Sequence, residues 1–581
     1  MNNINYELET IRIQATSLGD MLMIAADEQP ERMAVVLPYR RMTYAQLRDQ
    51  AIRRALSLQA LGVVSGDHVG LLLPTGMDFI ITMFATALLG AVTVPVNARY
   101  QPPELAYVIE NADLRVLLTT DKIADAVNFV KRLNDALPGL TAADAEDLHL
   151  EAAPLLKNIV LFGGSSAPGI LDQDQFDGLA ENGDLENLHL KRLQISLGST
   201  ALILYTSGTT ANPKGCMISH EAIVRNSAAL AERYELTGED SFWSPLPMFH
   251  IAAILPLAAI FTQSGTYVTT NYFEAGEALK MMEEEKVTAT YPCFWTIMSD
   301  LVDHPDFENT DLGRVKLMNA NFAVQPPEIG EKMKKALPNA VFVGTFGMTE
   351  TAGTVTTSRL DATEKQRFTR LGTPLSGMEV KAIDPETGKE SATGERGEAW
   401  IRGYSTFTEY YKSPEKTAEA LDDEGWFHSG DLVSIDSEGQ LMFHGRLRDM
   451  LKVGGENVAA VEIETCLQKH DAVKLAQVVG IPHPRLIEVA AAFIELEPGR
   501  QTSEEDLIGF CKGKIAGFKI PRHVRFVEEW PISSTKIQKF RLQDQLMEEL
   551  GLRSEMSPYM GNDNGRVHCN AEGYQRKDSS F

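Results

Sequence analysis

The stretch that most restricts how this chain can fold is Tyr205-Thr206-Ser207-Gly208-Thr209-Thr210-Ala211-Asn212-Pro213-Lys214-Gly215. Its glycines, proline and crowded hydroxyls suit neither the interior of a helix nor that of a strand, so it marks a loop between regular elements. Before it, Ala201-Leu202-Ile203-Leu204 reads as a buried strand of a sheet covered on both faces. After it, Ser219 suits a helix N-cap, and Ile223, Ser227, Leu230 and Tyr234 recur at helical spacing. The expected unit is therefore strand, glycine-rich loop, helix. Such a loop offers a polyphosphate the backbone N–H of Gly208, the hydroxyls of Thr206, Ser207, Thr209 and Thr210, and the ammonium of Lys214. Loops of this composition are also plain turns, and this one is not a Walker A loop, because Pro213 precedes Lys214 and Gly215 stands where Ser or Thr is required.

With 581 residues the chain is too long for one hydrophobic core, so about two to four domains are expected. A net charge of −26 argues against nucleic acid or anionic lipid as a partner. An anionic ligand then needs a local concentration of positive charge, which the loop supplies. The cysteines, Cys216, Cys293, Cys466, Cys511 and Cys569, are scattered and odd in number, which points to a reducing compartment without disulfides or a zinc site. Cys216 lies close to the loop but has no base beside it and reads as structural. Residues 1–14 carry Glu7 and Glu9 and no apolar run, so no export or transit signal is expected and the location is read as cytoplasmic. Residues 79–96 are apolar enough to suggest a membrane span, but Thr82, Thr86, Gly90 and Thr93 divide them into a buried helix and a core strand.

From residue 18 to 120 helix and strand signals alternate, predicting α/β layering around a largely parallel sheet. Thr43 caps a helix to Leu61, Gly66-Asp67 turns into a strand, and Met77 to Leu89 is helical. Residues 137–194 are irregular, with Gly163-Gly164-Ser165-Ser166 and an acidic tract, and read as a variable surface segment.

Nearly residue for residue, the loop resembles the phosphate loop of the adenylate-forming superfamily, whose pattern is Tyr-Thr-Ser-Gly-Thr-Thr, a spacer, then Pro-Lys-Gly. Further blocks follow in that superfamily's order: Gly344-Thr345-Phe346-Gly347-Met348-Thr349-Glu350-Thr351, Trp426-Phe427-His428-Ser429-Gly430-Asp431, Gly445-Arg446-Leu447-Arg448-Asp449 and Thr535-Lys536-Ile537-Gln538-Lys539. The resemblance covers roughly residues 18–542 and is strongest to the acyl-CoA synthetase branch. It implies a large N-terminal domain of layered, mostly parallel sheets with helices, residues 1–448. A small mobile α+β domain follows over 449–553, then a disordered tail over 554–581.

The resemblance also implies roles. Thr206, Ser207, Gly208, Thr209, Thr210 and Lys214 hold the phosphates, Phe346 stacks on adenine, Thr349 bonds the α-phosphate and Glu350 holds Mg²⁺. Asp431 takes the ribose hydroxyls, with Arg446 as a second nucleotide contact. His250 and Met348 belong to the acyl pocket, while Tyr291, Phe294, Trp295 and Phe322 are bulky candidates for its wall that serve equally well as core aromatics. Lys536 is the catalytic lysine of adenylation, Asp449 the hinge, and Gly454-Gly455 the loop that serves the thioester step. Two departures stand out. Asn319-Ala320-Asn321 replaces a Gly-Gly-Ala type turn, and Thr535 directly precedes Lys536 where the superfamily more often has an intervening glycine.

The implied reaction joins a carboxylic acid, expected to be a fatty acid, to ATP as an acyl-adenylate, and then to coenzyme A. Transfer to a carrier protein, or a nucleotide-binding protein without catalysis, fits the same pattern less fully. The sequence does not fix the oligomeric state, a homodimer being compatible with it.

Overall fold

The computed structural model describes residues 16–552, apart from 124, 207–212, 325–326, 454–455, 484–485, 513, 516 and 534–535. The expected disordered tail, 554–581, and residues 1–14, where no export or transit signal is expected, lie outside the described residues. The chain divides into two compact units between Leu447 and Arg448.

The first unit is built on two seven-stranded sheets. One runs Leu171–Asp172, Asn158–Phe162, Leu114–Thr120, His68–Leu72, Val92–Pro95, Thr200–Thr206, Lys214–Ser219, parallel except for its last pair. The other runs Val341–Val343, Leu317–Asn319, Ala289–Thr290, Ser241–Trp243, Thr266–Val268, Met33–Leu37, Arg40–Thr43, and again only its last pair is antiparallel. Local chemistry sets the joints. Thr43 and Gln46 close a reciprocal capping box at the start of helix Tyr44–Ala60. The apolar helix Met77–Leu89 is buried at almost every position and ends at Gly90, whose φ of 70° lets the chain turn into the next strand. Among the described residues no helix is long and apolar enough to cross a membrane.

Two antiparallel sheets complete this unit. Thr345–Met348, Gly353–Thr357 and Thr373–Pro374 form the smaller; Met378–Ile383, Arg396–Gly403, Phe427–Ile435 and Leu441–Arg446 form the larger.

Two expectations need correction. Residues 137–194 are not merely a surface segment, because Asn158–Phe162 is a strand buried at every position inside the first sheet. Five residues bracketed by polar loops are too short a signal to outweigh their surroundings. The phosphate loop also leads into a strand, Lys214–Ser219, before the helix begins at His220. Ser219 is the N-cap as expected, accepting from the Ala222 N–H at 3.1 Å.

In the second unit Glu456–Ala459, Met450–Val453, Ile487–Leu496 and Val473–His483 make an antiparallel sheet, and His523–Phe526 pairs in parallel beside Ile487–Leu496. Helices Ala460–Leu467 and Glu504–Cys511 share a core with it through Ile463, Leu467, Val478 and Leu507. The whole is a layered α/β protein with a separate, smaller α+β unit.

Candidate active site

The loop is the connection of an antiparallel hairpin. Tyr205 pairs with Gly215 and Thr206 with Lys214, and the Thr206 hydroxyl reaches the Lys214 carbonyl at 3.5 Å. Thr206 and Lys214 therefore frame the loop from either side, while Ser207, Gly208, Thr209 and Thr210 lie outside the described residues. Gly215 leaves room for its neighbours across the strand pair, since a Cβ there would stand 2.9 Å from Ile203 and 3.2 Å from the ring of Tyr205.

A crossing segment runs along the outer edge of Lys214–Ser219. The Tyr411 N–H donates to the Gly215 carbonyl at 2.7 Å, Thr408 N–H to Met217 O, and Met217 N–H to Glu409 O. This lays Tyr410 over Lys214, with Nζ 3.9 Å from the ring centroid. The Tyr410 hydroxyl in turn donates to Glu350 Oε1 at 2.8 Å, and the Phe407 N–H donates to the Glu350 carbonyl at 2.7 Å. Lys214, Tyr410 and Glu350 thus form one constellation. Partial burial lowers the Lys214 pKa, while the Glu350 charge opposes that shift. Burial and then Glu350 push the Tyr410 phenol well above its ordinary value, so it stays protonated and remains a donor.

Glu350 sits in the turn Thr349–Thr351 of the hairpin Thr345–Met348 to Gly353–Thr357. The hairpin strands approach so closely that a Cβ on Gly347 would lie 1.8 Å from the Gly353 carbonyl oxygen, which admits only glycine there. Among the described residues no group of three or more His, Cys, Asp or Glu is placed to hold a metal. A Mg²⁺ ion fits this site only in its usual manner, on one carboxylate and the phosphates of a nucleotide. Tyr410 orients the Glu350 carboxylate.

Asp431 and Arg446 face each other on neighbouring strands, with Asp431 Oδ1 2.7 Å from Arg446 Nε and the Asp431 carboxylate buried. The Asp431 N–H is held by Ser429 Oγ. Arg446 is near enough for its charge to act on Tyr410, which joins this pair electrostatically to the constellation. Phe346 is 5% exposed and lies 6.4 Å, ring to ring, from Phe443 on the Arg446 strand.

Of the residues expected at the acyl pocket, His250 precedes helix Ile251–Phe261, half-buried, with its ring 4.7 Å from Phe249. Met348 is half-buried beside the same core, and its N–H donates to Thr351 Oγ1. Tyr291 is buried and its hydroxyl pairs with Thr354 at 3.2 Å, so its ring belongs to the core; Phe294 is exposed. The side chain of Trp295 lies outside the described residues. Phe322 is absorbed into an aromatic cluster with Phe342 and Phe368, at 5.2 and 4.8 Å.

The departure at residues 319–321 carries a polar network that sequence reasoning missed. Asn319, fully buried, donates to the Tyr234 hydroxyl at 2.9 Å and also to Thr345 Oγ1. Tyr234 also pairs with Thr345 and Thr357. Asn321 holds a φ of 51° and accepts from the Thr345 N–H at 2.5 Å. Tyr410 was missed as well, its only signal in the sequence being the aromatic pair Tyr410-Tyr411.

In the second unit Lys536 opens a short strand paired with Ile532–Ser533, Ser533 facing Lys536 in register. The side chain of Lys536, and Gly454 with Gly455, lie outside the described residues. Asp449 ends the turn Leu447–Asp449, with Lys539 Nζ at 3.8 Å; Lys539 also pairs with Glu464 at 2.6 Å.

A layered α/β unit bearing a loop-closing hairpin with Lys214, a braced carboxylate and a buried Asp–Arg pair, followed by a smaller unit with a lysine hairpin, is an arrangement consistent with a nucleotide-dependent acid-activating enzyme. The comparisons with known proteins agree. The AMP-binding enzyme family matches residues 23–411, and the AMP-binding enzyme C-terminal domain matches 462–536. The chain belongs to the AMP-binding enzyme family, the adenylate-forming superfamily, in its acyl-CoA synthetase branch, and is an AMP-forming acid–thiol ligase that uses ATP and coenzyme A.

YngI of Bacillus subtilis (strain 168), whose name places it provisionally among the acyl-CoA synthetases, is 33% identical over 93% of this chain and 98% of its own. The mitochondrial medium-chain acyl-CoA ligase ACSF2 of Mus musculus is 31% identical over 92% of this chain and 88% of its own. Among solved structures, the anthranilate CoA ligase AuaEII in complex with anthranoyl-AMP superposes with a TM-score of 0.79 at 25% identity, covering 92% of this chain and 98% of that one.

Proposed function

We propose that this ligase activates a fatty acid, of medium chain length, to its CoA thioester. The constellation of Lys214, Tyr410 and Glu350 carries the reading of the chemistry, and the likeness to a ligase named for medium-chain acids supports the acid. A carboxylate is a poor acceptor for a thiol, because its carbonyl carbon shares negative charge and its leaving group is oxide. Attack of a carboxylate oxygen on the α-phosphorus of ATP forms an acyl–O–P bond, and the bond to pyrophosphate breaks. The CoA sulfur then bonds to the acyl carbon, AMP leaves, and the thiol proton is given up to solvent.

The first step concentrates charge on the phosphoryl group and the departing pyrophosphate, so fixed donors and cations govern it. Lys214 and Thr206 frame the loop that takes the phosphates, with Ser207, Gly208, Thr209 and Thr210 between them. Thr349 serves the α-phosphate, Phe346 the adenine and Asp431 with Arg446 the ribose. Mg²⁺ on Glu350 neutralises phosphate charge when bound. His250, Trp295 and Met348 serve the acyl chain. Lys536 is assigned to adenylation and Gly454-Gly455 to thioester formation, exchanged by rotation at Asp449.

The test is release of AMP and pyrophosphate from Mg·ATP with a panel of carboxylic acids of graded length, with and without CoA, the acyl product being read by mass spectrometry. A CoA-dependent thioester that peaks at medium chain length supports the proposal. A peak on aromatic or dicarboxylic acids overturns the substrate, and acyl-adenylate without thioester points to a carrier protein as the acceptor.

A further inference from the structure

The helix His220–Arg233 follows directly from the strand that carries Lys214, and it touches the Glu350 hairpin along its length. Near its end Arg233 donates to the carbonyls of Thr357 at 2.7 Å and Pro374 at 2.9 Å. Tyr234, its C-cap residue, reaches Thr345 and Thr357. In its middle Asn226, fully buried, donates through Nδ2 to the Ala352 carbonyl at 2.9 Å and the Thr351 carbonyl at 3.3 Å.

Those two carbonyls belong to the residues immediately after Glu350. Ala352 holds a φ of 49°, the left-handed region that a residue with a Cβ enters at a cost and keeps only where its surroundings hold it there. The Asn226 amide is what holds it, because two carbonyl acceptors fix the NH₂ group toward the turn. Oδ1 is then left buried, with no hydrogen-bond partner among the described residues. An apolar side chain of similar shape would avoid that cost on the helix, but it would leave both carbonyls of the turn without this donor.

We infer that Asn226 is a positioning residue for adenylation: by tying the strained turn Thr351-Ala352 to the helix that continues the Lys214 strand, it fixes Glu350 relative to Lys214. The inference rests on the role proposed above for Glu350. It assigns to Asn226 no contact with substrate. Tyr410 holds the Glu350 side chain and Asn226 the backbone beyond it, so the two act on the same group from opposite ends.

A double-mutant cycle with Glu350→Gln tests this, with each half-reaction measured separately. Asn226→Ala is expected to slow adenylation by roughly 10- to 100-fold in kcat, with little change in KM for the acid, since misplacement of a charge near the reacting phosphate costs about that much. Thioester formation from supplied acyl-adenylate should stay within about 3-fold of wild type, a range below the coupling that neighbouring residues show. In the Glu350→Gln background, Asn226→Ala should add nothing further. Equal losses in both half-reactions of a folded variant, or full additivity with Glu350→Gln, would overturn the inference. Full adenylation activity in Glu350→Gln alone would instead sink the role given to Glu350. Should Asn226→Ala fail to fold, Asn226→Ser keeps a short donor in place and runs through the same cycle with a smaller expected loss.

Discussion

Two turns flank the far end of the hairpin and its start, and they are built by opposite means. The Thr349–Ala352 turn follows a motif that names its own chemistry, and its carbonyls are held from outside by Asn226 and the Phe407 N–H. The Asn319–Asn321 turn departs from the superfamily pattern, and its own side-chain amides do the holding, on Tyr234 and Thr345. Both turns hang on the same helix, His220–Arg233, and on the residue that caps it. The difference teaches that the Glu350 turn offers backbone acceptors and depends on one amide from outside it, Asn226, whereas the Asn319 turn depends on the identity of its own side chains.

The largest expected effect lies outside both turns and serves as their reference. Lys536→Ala should cut adenylate formation by about 1000-fold, the upper range for removing one preorganised charge, and leave thioester formation from supplied acyl-adenylate intact. Equal loss of both in a folded variant would break the division of labour between the half-reactions. Glu350→Gln should slow adenylation by about 100-fold, read as pyrophosphate release, because it would remove the carboxylate proposed to hold Mg²⁺ against the phosphates. Asn319→Ala strikes the other turn. It should lower stability by about 2 kcal/mol, the usual cost of breaking a buried hydrogen-bonded network, and shift KM for the acid more than kcat. Denaturant melts with steady-state kinetics would show it; a loss in kcat at unchanged KM would erase the contrast between the turns.

The shared helix has its own weak point. His220 at its first position is fully buried and accepts from the Leu18 N–H at 3.2 Å, and burial lowers its pKa to about 4. Below pH 6.5 the unfolded chain takes up a proton that the folded one refuses, so stability falls as pH drops toward 4 and then levels off. At pH 5 the loss should be about 2 kcal/mol relative to pH 7, from about 1.4 kcal/mol per pH unit. Urea unfolding at the two pH values, compared with His220→Gln, isolates it; an equal pH dependence in both proteins would refute the assignment. The smallest effect is expected from Tyr410→Phe, about 10-fold in adenylation, the worth of one charge-assisted hydrogen bond. Retention of full rate would mean that Glu350 needs no brace.

Much of this fold could be read from the chain because the cues were local. Thr43, Gly90 and Ser219 each act within a few residues, and each sits where expected. The strand Lys214–Ser219 escaped notice because its glycine, cysteine and hydroxyl positions show no clean alternation and merge into the helix. The candidate site divides in the same way. Lys214, Glu350, Asp431 and Arg446 lie in contiguous motifs, and the structure places Lys214 with Glu350 and Asp431 with Arg446. Asn226 could not be read as a partner of that site, for a polar residue on a helix face means little until a hairpin more than a hundred positions later is known to lie against it.

Cys216 gives the crossing segment a chemical clock. Its thiol is fully buried, and its backbone is bridged to Tyr410, so lifting that segment would open a path for a reagent to the sulfur. The pace of alkylation at this one position, followed by peptide mapping, would therefore time how often the cover over Lys214 breathes, and nucleotide binding would be felt as a slowing of the clock without any turnover.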